Sequence, residues 1–244
     1  DGRAFVISAS RRWAQEGYFE GTDYSANSLF ASVEKKINDN HSLNFTSIYA
    51  ENSRGKNSPN TEEVSKLAGI KYNSYWGWQD SKKRNSRDKD VEEPILMLNH
   101  FWKISDKTNL NTSITHQFGK IGNSRIDNQG ADNPDPTYYR NLPSFYTSQY
   151  DLVDYTNFIG NSPENIANAN AARESFLANR QINWNTLYQA NQTSDGHSAY
   201  ILYEDRTDHK IWTANSVLNS QLADNIVMNA GATFRKLKSN NFAN

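Results

Sequence analysis

The chain has 244 residues, and its 26 basic against 27 acidic side chains leave a net charge of -1, which gives no sign of a polyanionic partner. It contains no cysteine, which excludes disulfides, thiolate metal sites and cysteine nucleophiles. Hydrophobic residues make up only 36% of the chain, against roughly 45–50% in ordinary globular domains. Aromatic residues reach 12%, which argues against a disordered chain.

The longest apolar run is Ile95–Leu98, whereas a membrane-spanning helix needs about 18 or more apolar residues. A helical membrane protein is therefore excluded. The first residues, Asp1 to Val6, lack the basic and apolar regions of a signal peptide and open directly into an alternating pattern. We expect either a mature chain or a fragment.

One arrangement occurs three times along the chain: an alternating segment, a short polar turn and a second alternating segment. The turns are 38–40, 105–107 and 223–225, with Asp39, Asp106 and Asp224 at their centres. An aspartate in a tight turn can accept a hydrogen bond from its own downstream backbone. The pattern therefore predicts three β-hairpins.

The flanking segments keep a two-residue period, so that Leu98 and Ile114 belong to an apolar face while Asn99 and Ser113 belong to a polar one. This alternation predicts seven strands, at about 3–13, 27–37, 41–51, 94–104, 108–119, 210–222 and 225–238. Each is longer than the usual 5–6 residues of soluble strands and close to the 9–11 that cross a bilayer. Short turns alternate with linkers of about 13, 42 and 90 residues, a layout typical of outer-membrane barrels.

The long loops carry helix signals of their own. Thr61, two following glutamates and a stop at Gly69 predict a short helix over 61–69. Ser162 as an N-cap, followed by Pro163, predicts a helix of about 163–191. The alternating segment 198–205 predicts a strand that extends a hairpin within the last loop.

Several short motifs are spread along these elements. They are Ser10-Arg11-Arg12-Trp13 with Glu16-Gly17-Tyr18 and Gly21-Thr22, the segment from Ser32 to Leu43, Tyr75-Trp76-Gly77-Trp78-Gln79 with Lys82-Lys83-Arg84-Asn85, the segment from Tyr138 to Ser144, Tyr203-Glu204-Asp205-Arg206, and Leu218-Asn219-Ser220. With these motifs and this layout, the chain resembles the TonB-dependent outer-membrane receptors, in particular those of the Bacteroidetes group.

The resemblance implies an all-β fold, namely a partial antiparallel transmembrane β-barrel with long, partly helical extracellular loops. Its seven strands would be about a third of a wall that has 22 strands in this family. Residues 1–244 would be a segment of the barrel domain without the plug domain. We expect a fragment, because a partial wall alone would expose two unpaired sheet edges to lipid.

The resemblance also implies a non-enzymatic transport function at the outer membrane of a Gram-negative cell. The implied partners are outer-membrane lipid, the plug of the same parent protein, the TonB complex acting on parts outside this chain, and a small-molecule or oligomeric ligand. That ligand would be a siderophore, glycan, vitamin or peptide. No cofactor and no nucleic acid are expected.

Aromatic residues of the long loops are the candidate ligand contacts, because they bury a large area at low entropic cost. The candidate set is Trp76, Trp78, Tyr138, Tyr139, Arg140 and Tyr146. The alternatives are packing between loops and membership of the interfacial aromatic girdle of a barrel. The girdle is favoured for Trp13, Trp102 and Trp212 at strand ends.

The remaining polar groups predict no metal or catalytic site. The five histidines have no metal-ligand spacing, although His100 and His116 are placed for a cross-strand contact. Glu204 and Asp205 are adjacent in a strand and point to opposite faces, which does not suit a glycosidase pair. Acids and bases interleave over 81–90, which is typical of a solvated loop.

A secreted, soluble β-sheet carbohydrate-binding module, either a sandwich or a solenoid, remains the alternative, and a hydrolase on such a sandwich is a third possibility. Soluble sheets alternate as well, so the periodicity does not separate these classes. The strand length and the one-sided distribution of long loops favour the barrel.

Overall fold

The computed structural model describes residues 2–244. The strands are β1 (Arg3–Ala14), β2 (Tyr24–Lys36), β3 (His41–Gly55), β4 (Trp76–Gln79), β5 (Lys82–Asn85), β6 (Asp88–Glu92), β7 (Ile95–Ser105), β8 (Thr108–Asp127), β9 (Ile201–Ala223) and β10 (Ile226–Ala243). The helices are α1 (Glu62–Ala68), α2 (Pro143–Thr147), α3 (Pro163–Ala178) and α4 (Trp184–Thr193), with a 3-10 turn at Tyr139–Asn141. No helix within residues 2–244 has the length and apolar character needed to cross a membrane.

Eight strands form one antiparallel sheet. Its order is β1, β2 and β3, then β6 and β7 in one position, and then β8, β9 and β10. Strands β6 and β7 share one position, because both pair with β3 on one side and with β8 on the other. Seven strand positions are therefore present, as the alternation predicts. Strands β4 and β5 form a separate hairpin.

The interruption between β6 and β7 lies at Glu93 and Pro94. The pairing register on both sides is unchanged across it, so the two strands are one strand with a local break. The backbone N–H of Phe118 donates to the Pro94 carbonyl, and proline has no N–H to donate back. Gly119 has a φ of +150°, and a Cβ there would lie 1.9 Å from the Glu92 carbonyl oxygen, so the close approach requires glycine.

Strands β8 and β9 extend further from the short turns than the sequence predicts. Ile201 pairs with Asp127, so residues 201–205 of the predicted segment 198–205 extend the antiparallel pair of β8 and β9. The alternation of the segment continues into β9, and the strand with which it pairs is β8. Beyond the last residues that pair with β6 and β10, the two strands continue as a two-stranded extension over 125–127 and 201–203.

All three predicted hairpins are present, but their central aspartates act differently from the prediction. In the first turn the Asn38 side chain accepts from the backbone N–H groups of Asn40 and His41. Asp39 instead pairs with Lys36, three residues earlier, and Asp106 pairs with Lys103 in the same way. The lysines hold the pKa of these two turn carboxylates below the usual range.

Helix α1 confirms the predicted short helix, with Thr61 Oγ1 accepting from the Val64 backbone N–H. The longer helix begins at Pro163 as predicted, but it does not continue to 191. It ends at Ala178, and a new helix starts after Asn183, whose side chain accepts from the Thr186 backbone N–H. An asparagine that caps a helix in this way favours a new start at Asn183.

The two sheet faces differ as the alternation predicts. One paired row crosses all seven strand positions and is wholly apolar: Phe5, Val33, Phe45, Leu98, Ile114, Ala214 and Phe234. We call the face that carries this row the belt face, and its apolar residues the apolar belt. The neighbouring row on the opposite, polar face contains Ala4, Glu34, Asn44, Asn99, Ser113, Asn215 and Thr233.

The apolar belt is uncovered. Phe5 is 76% exposed, Phe45 48% and Phe234 65%, and the main sheet is a single layer with no second sheet packed on it within residues 2–244. This arrangement contradicts the sandwich alternative, which needs a second sheet over the apolar face.

The histidines of the belt face do not make the cross-strand contact that the sequence predicts, and each stacks on a different ring. His100 stacks on His41, with Nδ1 of His41 3.0 Å from Nε2 of His100. His116 stacks on Trp212, with 4.0 Å between the ring centroids. The predicted contact between His100 and His116 is wrong, because the register places Thr112 opposite His100.

Candidate ligand-binding surface of the loop layer

The loops at the end of the sheet away from the short turns pack together into what we call the loop layer, residues 15–23, 56–87 and 128–200. Every buried apolar side chain among residues 2–244 belongs to it. One cluster comprises Val64, Tyr72, Leu142 and Phe176, and a second comprises Ile182, Trp184 and Leu187.

A buried asparagine joins two of the three segments of the loop layer, 15–23 and 56–87. Asn73 is fully buried, and its Oδ1 accepts from the backbone N–H groups of Ser58 and Tyr75 at 2.9 and 3.1 Å. Its Nδ2 donates to the backbone carbonyls of Glu20 and Lys56. All the hydrogen-bonding capacity of the amide is thus used inside the protein, which offsets the cost of burying it.

Asn85 makes a second connection of this kind. Its Nδ2 donates to the carbonyls of Gly21 and Lys56, both at 2.9 Å, and its Oδ1 accepts from the Arg87 backbone N–H. Since Lys56 accepts from both asparagines, the end of β3, the hairpin of β4 and β5 and the loop 15–23 are held in one arrangement.

Trp76 and Trp78 lie on the hairpin of β4 and β5 and differ sharply in exposure. Trp76 is 4% exposed and packs on Gly21, where a Cβ would lie 2.1 Å from the indole and φ is +65°. Trp78 is 55% exposed and meets Trp76 edge to face, with 5.6 Å between centroids. Trp76 therefore supports the hairpin, and Trp78 presents its ring to the surroundings.

A lysine lies beside both indoles. Lys83 Nζ is 4.7 Å from the Trp76 ring centroid and 5.9 Å from that of Trp78. It also pairs with Glu16 at 2.5 Å. The Lys83 hydrogen bond, together with one from the Gly21 backbone N–H, holds the pKa of Glu16 below its usual range. Trp78, Lys83 and Glu16 form an aromatic surface with one ion pair at its edge.

Arg84 fixes the other side of the same hairpin. Its guanidinium lies 4.2 Å from the Trp184 ring centroid and donates to Gln79 and to the Tyr188 hydroxyl. Helix α4 is thereby attached to the hairpin. The same helix packs against Ile126 on the two-stranded extension.

The remaining candidates form a second group around the 3-10 turn and α2. Tyr138 and Tyr139 meet edge to face at 4.8 Å, and Arg140 Nε donates to the Tyr139 hydroxyl at 3.0 Å. This bond lowers the pKa of the Tyr139 phenol. Tyr139 is 53% exposed. Arg140 and Tyr146 line a cleft of about 420 Å³ whose other wall is α3.

Contacts between α1 and α2 position this second group. The Glu63 carboxylate accepts from the backbone N–H and the hydroxyl of Ser144, at 2.9 and 2.6 Å. Sequence reasoning names the six candidates, and it quotes Lys83 and Arg84 only within a motif of the family resemblance, not as site residues. It gives Tyr188 no role, because Arg84 and Tyr188 are far apart in the chain and meet only through folding.

Titratable groups do not gather into a metal centre: within residues 2–244 no group of three or more histidines and carboxylates could hold an ion.

Asp88, at the loop end of β6, is the carboxyl whose pKa is shifted furthest from its usual value. Burial, and then the nearby carboxylates of Asp23 and Asp90, raise its pKa to about 6. Asp205 pairs with Arg125 at 3.2 Å, while the Glu204 side chain lies over Gly122.

No protein-family model matches the sequence, and no curated protein matches it. Among solved structures, the chain is similar to the ferric-catecholate import receptor Fiu from E. coli K12 in its open form. The TM-score is 0.52 at 12% sequence identity, and the match covers 99% of this chain and 31% of that receptor. At this identity the likeness shows the fold alone. Together with the antiparallel sheet it confirms the predicted fold class, an all-β partial barrel.

Proposed function

We propose that this chain is a segment of the barrel wall of an outer-membrane TonB-dependent receptor of the Bacteroidetes type. In this proposal the belt face meets lipid and the polar face lines the lumen. The receptor takes up a siderophore, glycan, vitamin or peptide through a barrel that holds a plug, and TonB acts on parts of the parent protein outside residues 1–244.

The observation that carries the proposal is the uncovered apolar belt. Apolar patches on soluble monomers rarely exceed a few hundred Å² and are usually covered by a partner when they do. Here the apolar row crosses all seven strand positions, with polar side chains on the opposite face. Lipid on one side and water on the other would satisfy both faces.

The distribution of connections supports the same proposal. The three hairpin turns lie at one end of the sheet, and the loop layer lies at the other. Outer-membrane barrels have short periplasmic turns and long extracellular loops. The loop layer would therefore face the outside of the cell, where a ligand is captured.

Within the loop layer we assign ligand contact to the candidates that are exposed or half-buried. These are Trp78 beside Lys83, and the group of Tyr138, Tyr139, Arg140 and Tyr146. Trp76 is too deeply buried to touch a ligand directly, and its role would be to hold Trp78 in place.

The membrane assignment is tested on the full-length gene product expressed in a Gram-negative host. We expect it in the outer-membrane fraction, with a gel mobility that changes on boiling, because a closed barrel resists detergent until it is heated. A soluble protein with unchanged mobility would refute the proposal.

The ligand assignment is tested by uptake of a panel containing a ferric catecholate, cobalamin, an oligosaccharide and a peptide. For whichever compound is imported, the W78A/Y139A double variant should lose uptake at low concentration. The matched control is Tyr155→Ala, which removes another exposed loop aromatic that is not a candidate. Equal uptake by both variants would show that these aromatics do not bind the ligand.

A further inference from the structure

Two lysines stand directly opposite each other on the belt face. Lys210 of β9 pairs with Lys238 of β10, and Lys236 lies opposite Trp212 in the next row of the same face. Like charges in directly opposed positions destabilise a strand pair. None of these three lysines forms an ion pair within residues 2–244. Their charge is therefore not neutralised by the described chain.

The opposed lysines line a cleft of about 390 Å³ beside the break in the wall. Pro94 and Phe118 form its apolar part, and Lys120 and Arg206 lie along its remaining side. The last two are already neutralised, because Lys120 is 3.3 Å from Glu92 and Arg206 is 2.7 Å from Asp208. The surplus charge of the cleft is thus positive and comes from Lys210 and Lys238.

The cleft lies where the apolar belt gives way to polar residues. On β9 the belt-face residues run from Ala214 through Trp212 to Lys210, and on β10 they run from Phe234 to Lys236 and Lys238. An occupant must therefore be anionic where it meets the lysines and apolar where it continues along Phe118 and Trp212.

We propose that this cleft binds the phosphate group of an anionic membrane lipid, whose headgroup carries no cation of its own to offset the phosphate, with the acyl chains of that lipid lying on the apolar belt. The proposal rests on the membrane placement proposed above. An ammonium group held by a phosphate oxygen removes the repulsion between the two lysines. The continuity of the cleft with the belt favours a lipid over a free anion.

The test compares the full-length wild-type protein with the K210Q/K238Q double variant. Each is reconstituted in vesicles of phosphatidylcholine alone or of phosphatidylcholine mixed with phosphatidylglycerol, and thermal unfolding is followed. We expect the anionic lipid to raise the melting temperature of the wild type and this shift to be lost in the double variant. In phosphatidylcholine alone the double variant should melt no lower than the wild type, because its repulsion is relieved.

The matched control is Lys82→Gln, which removes an exposed lysine of β5 outside the cleft and should keep the full shift. Equal shifts in all three proteins would overturn the site. A comparable shift of the wild type by inorganic phosphate in phosphatidylcholine vesicles would overturn the lipid as occupant. Failure to insert into either vesicle, with no mobility change on boiling, would refute the membrane placement itself and with it this site.

Discussion

The sheet and the loop layer place their apolar side chains in opposite ways. In the sheet the apolar side chains are exposed on one face, and polar side chains such as Ser32, Thr46, Asn44 and Asn99 bond to one another on the other face. In the loop layer the apolar side chains are buried in two small clusters, and buried asparagines connect the segments. One chain thus contains a region suited to an apolar surrounding and a region suited to water.

This difference explains the low hydrophobic content. A soluble domain buries its apolar residues in a core, whereas the sheet uses every second residue of a strand for an outer face and needs no core beneath it. The small apolar clusters of the loop layer are sufficient because hydrogen bonds from Asn73 and Asn85 supplement them.

The largest expected effect comes from a substitution that disrupts the loop layer and leaves the sheet intact. Tyr72 is almost fully buried, stacks edge to face on Phe176 and donates to the Arg180 carbonyl at 2.6 Å. Tyr72→Ala should destabilise the loop layer by about 3–5 kcal/mol, as large-to-small core changes do. Hydrogen exchange of 56–75 would measure it, with Tyr155→Ala as control. A simultaneous loss of the boiling-dependent mobility change would show that the two regions are not independent.

The second prediction tests the sheet through its two faces. Leu98 lies in the middle of the apolar belt, and its neighbour Asn99 points to the polar face. Leu98→Arg should cost about 2–4 kcal/mol in vesicles, the range for a cation at the lipid face of a barrel. Asn99→Arg should cost far less. Reversible unfolding of the full-length protein in vesicles measures both, and equal costs would mean that the belt face does not meet lipid.

The third prediction concerns the buried polar connections. Asn73→Ala leaves two backbone N–H groups and two carbonyls without their partner, which should cost about 1–3 kcal/mol. The readout is the rate of proteolysis within the loop layer under native conditions. Asn170→Ala, at an exposed position of α3, is the control and should leave the rate unchanged.

The smallest effect is a pH dependence confined to the loop end of β6. Because the folded pKa of Asp88 is raised from 3.8 to about 6, folding favours its protonated form. Its contribution to stability is therefore most favourable below about pH 4 and declines as the pH rises to about 6. Asp88→Asn should remove this decline. Melting curves of both proteins between these pH values test it, and parallel curves would contradict the assignment.

The sequence predicts the sheet well because strand alternation is local: the residues at i and i+2 already define the belt face. It does not predict the loop layer in the same way. Asn73 is one asparagine among many, and its partner Glu20 lies 53 residues earlier in the chain. The break at Pro94 appears in the sequence only as a proline. The need for a glycine at 119 is visible only in the paired sheet, where its backbone lies against the Glu92 carbonyl.

Because Pro94 has no backbone N–H, it also limits how deep this part of the sheet can lie in a bilayer. The Phe118 carbonyl opposite it receives no hydrogen bond from Pro94, and in hydrocarbon an unpartnered carbonyl costs several kcal/mol. In a wall that crosses a bilayer, this pair must therefore lie at or above the level where water or headgroups can supply a donor. In the proposed membrane placement, a single proline thus limits how deep this part of the sheet can lie in the bilayer.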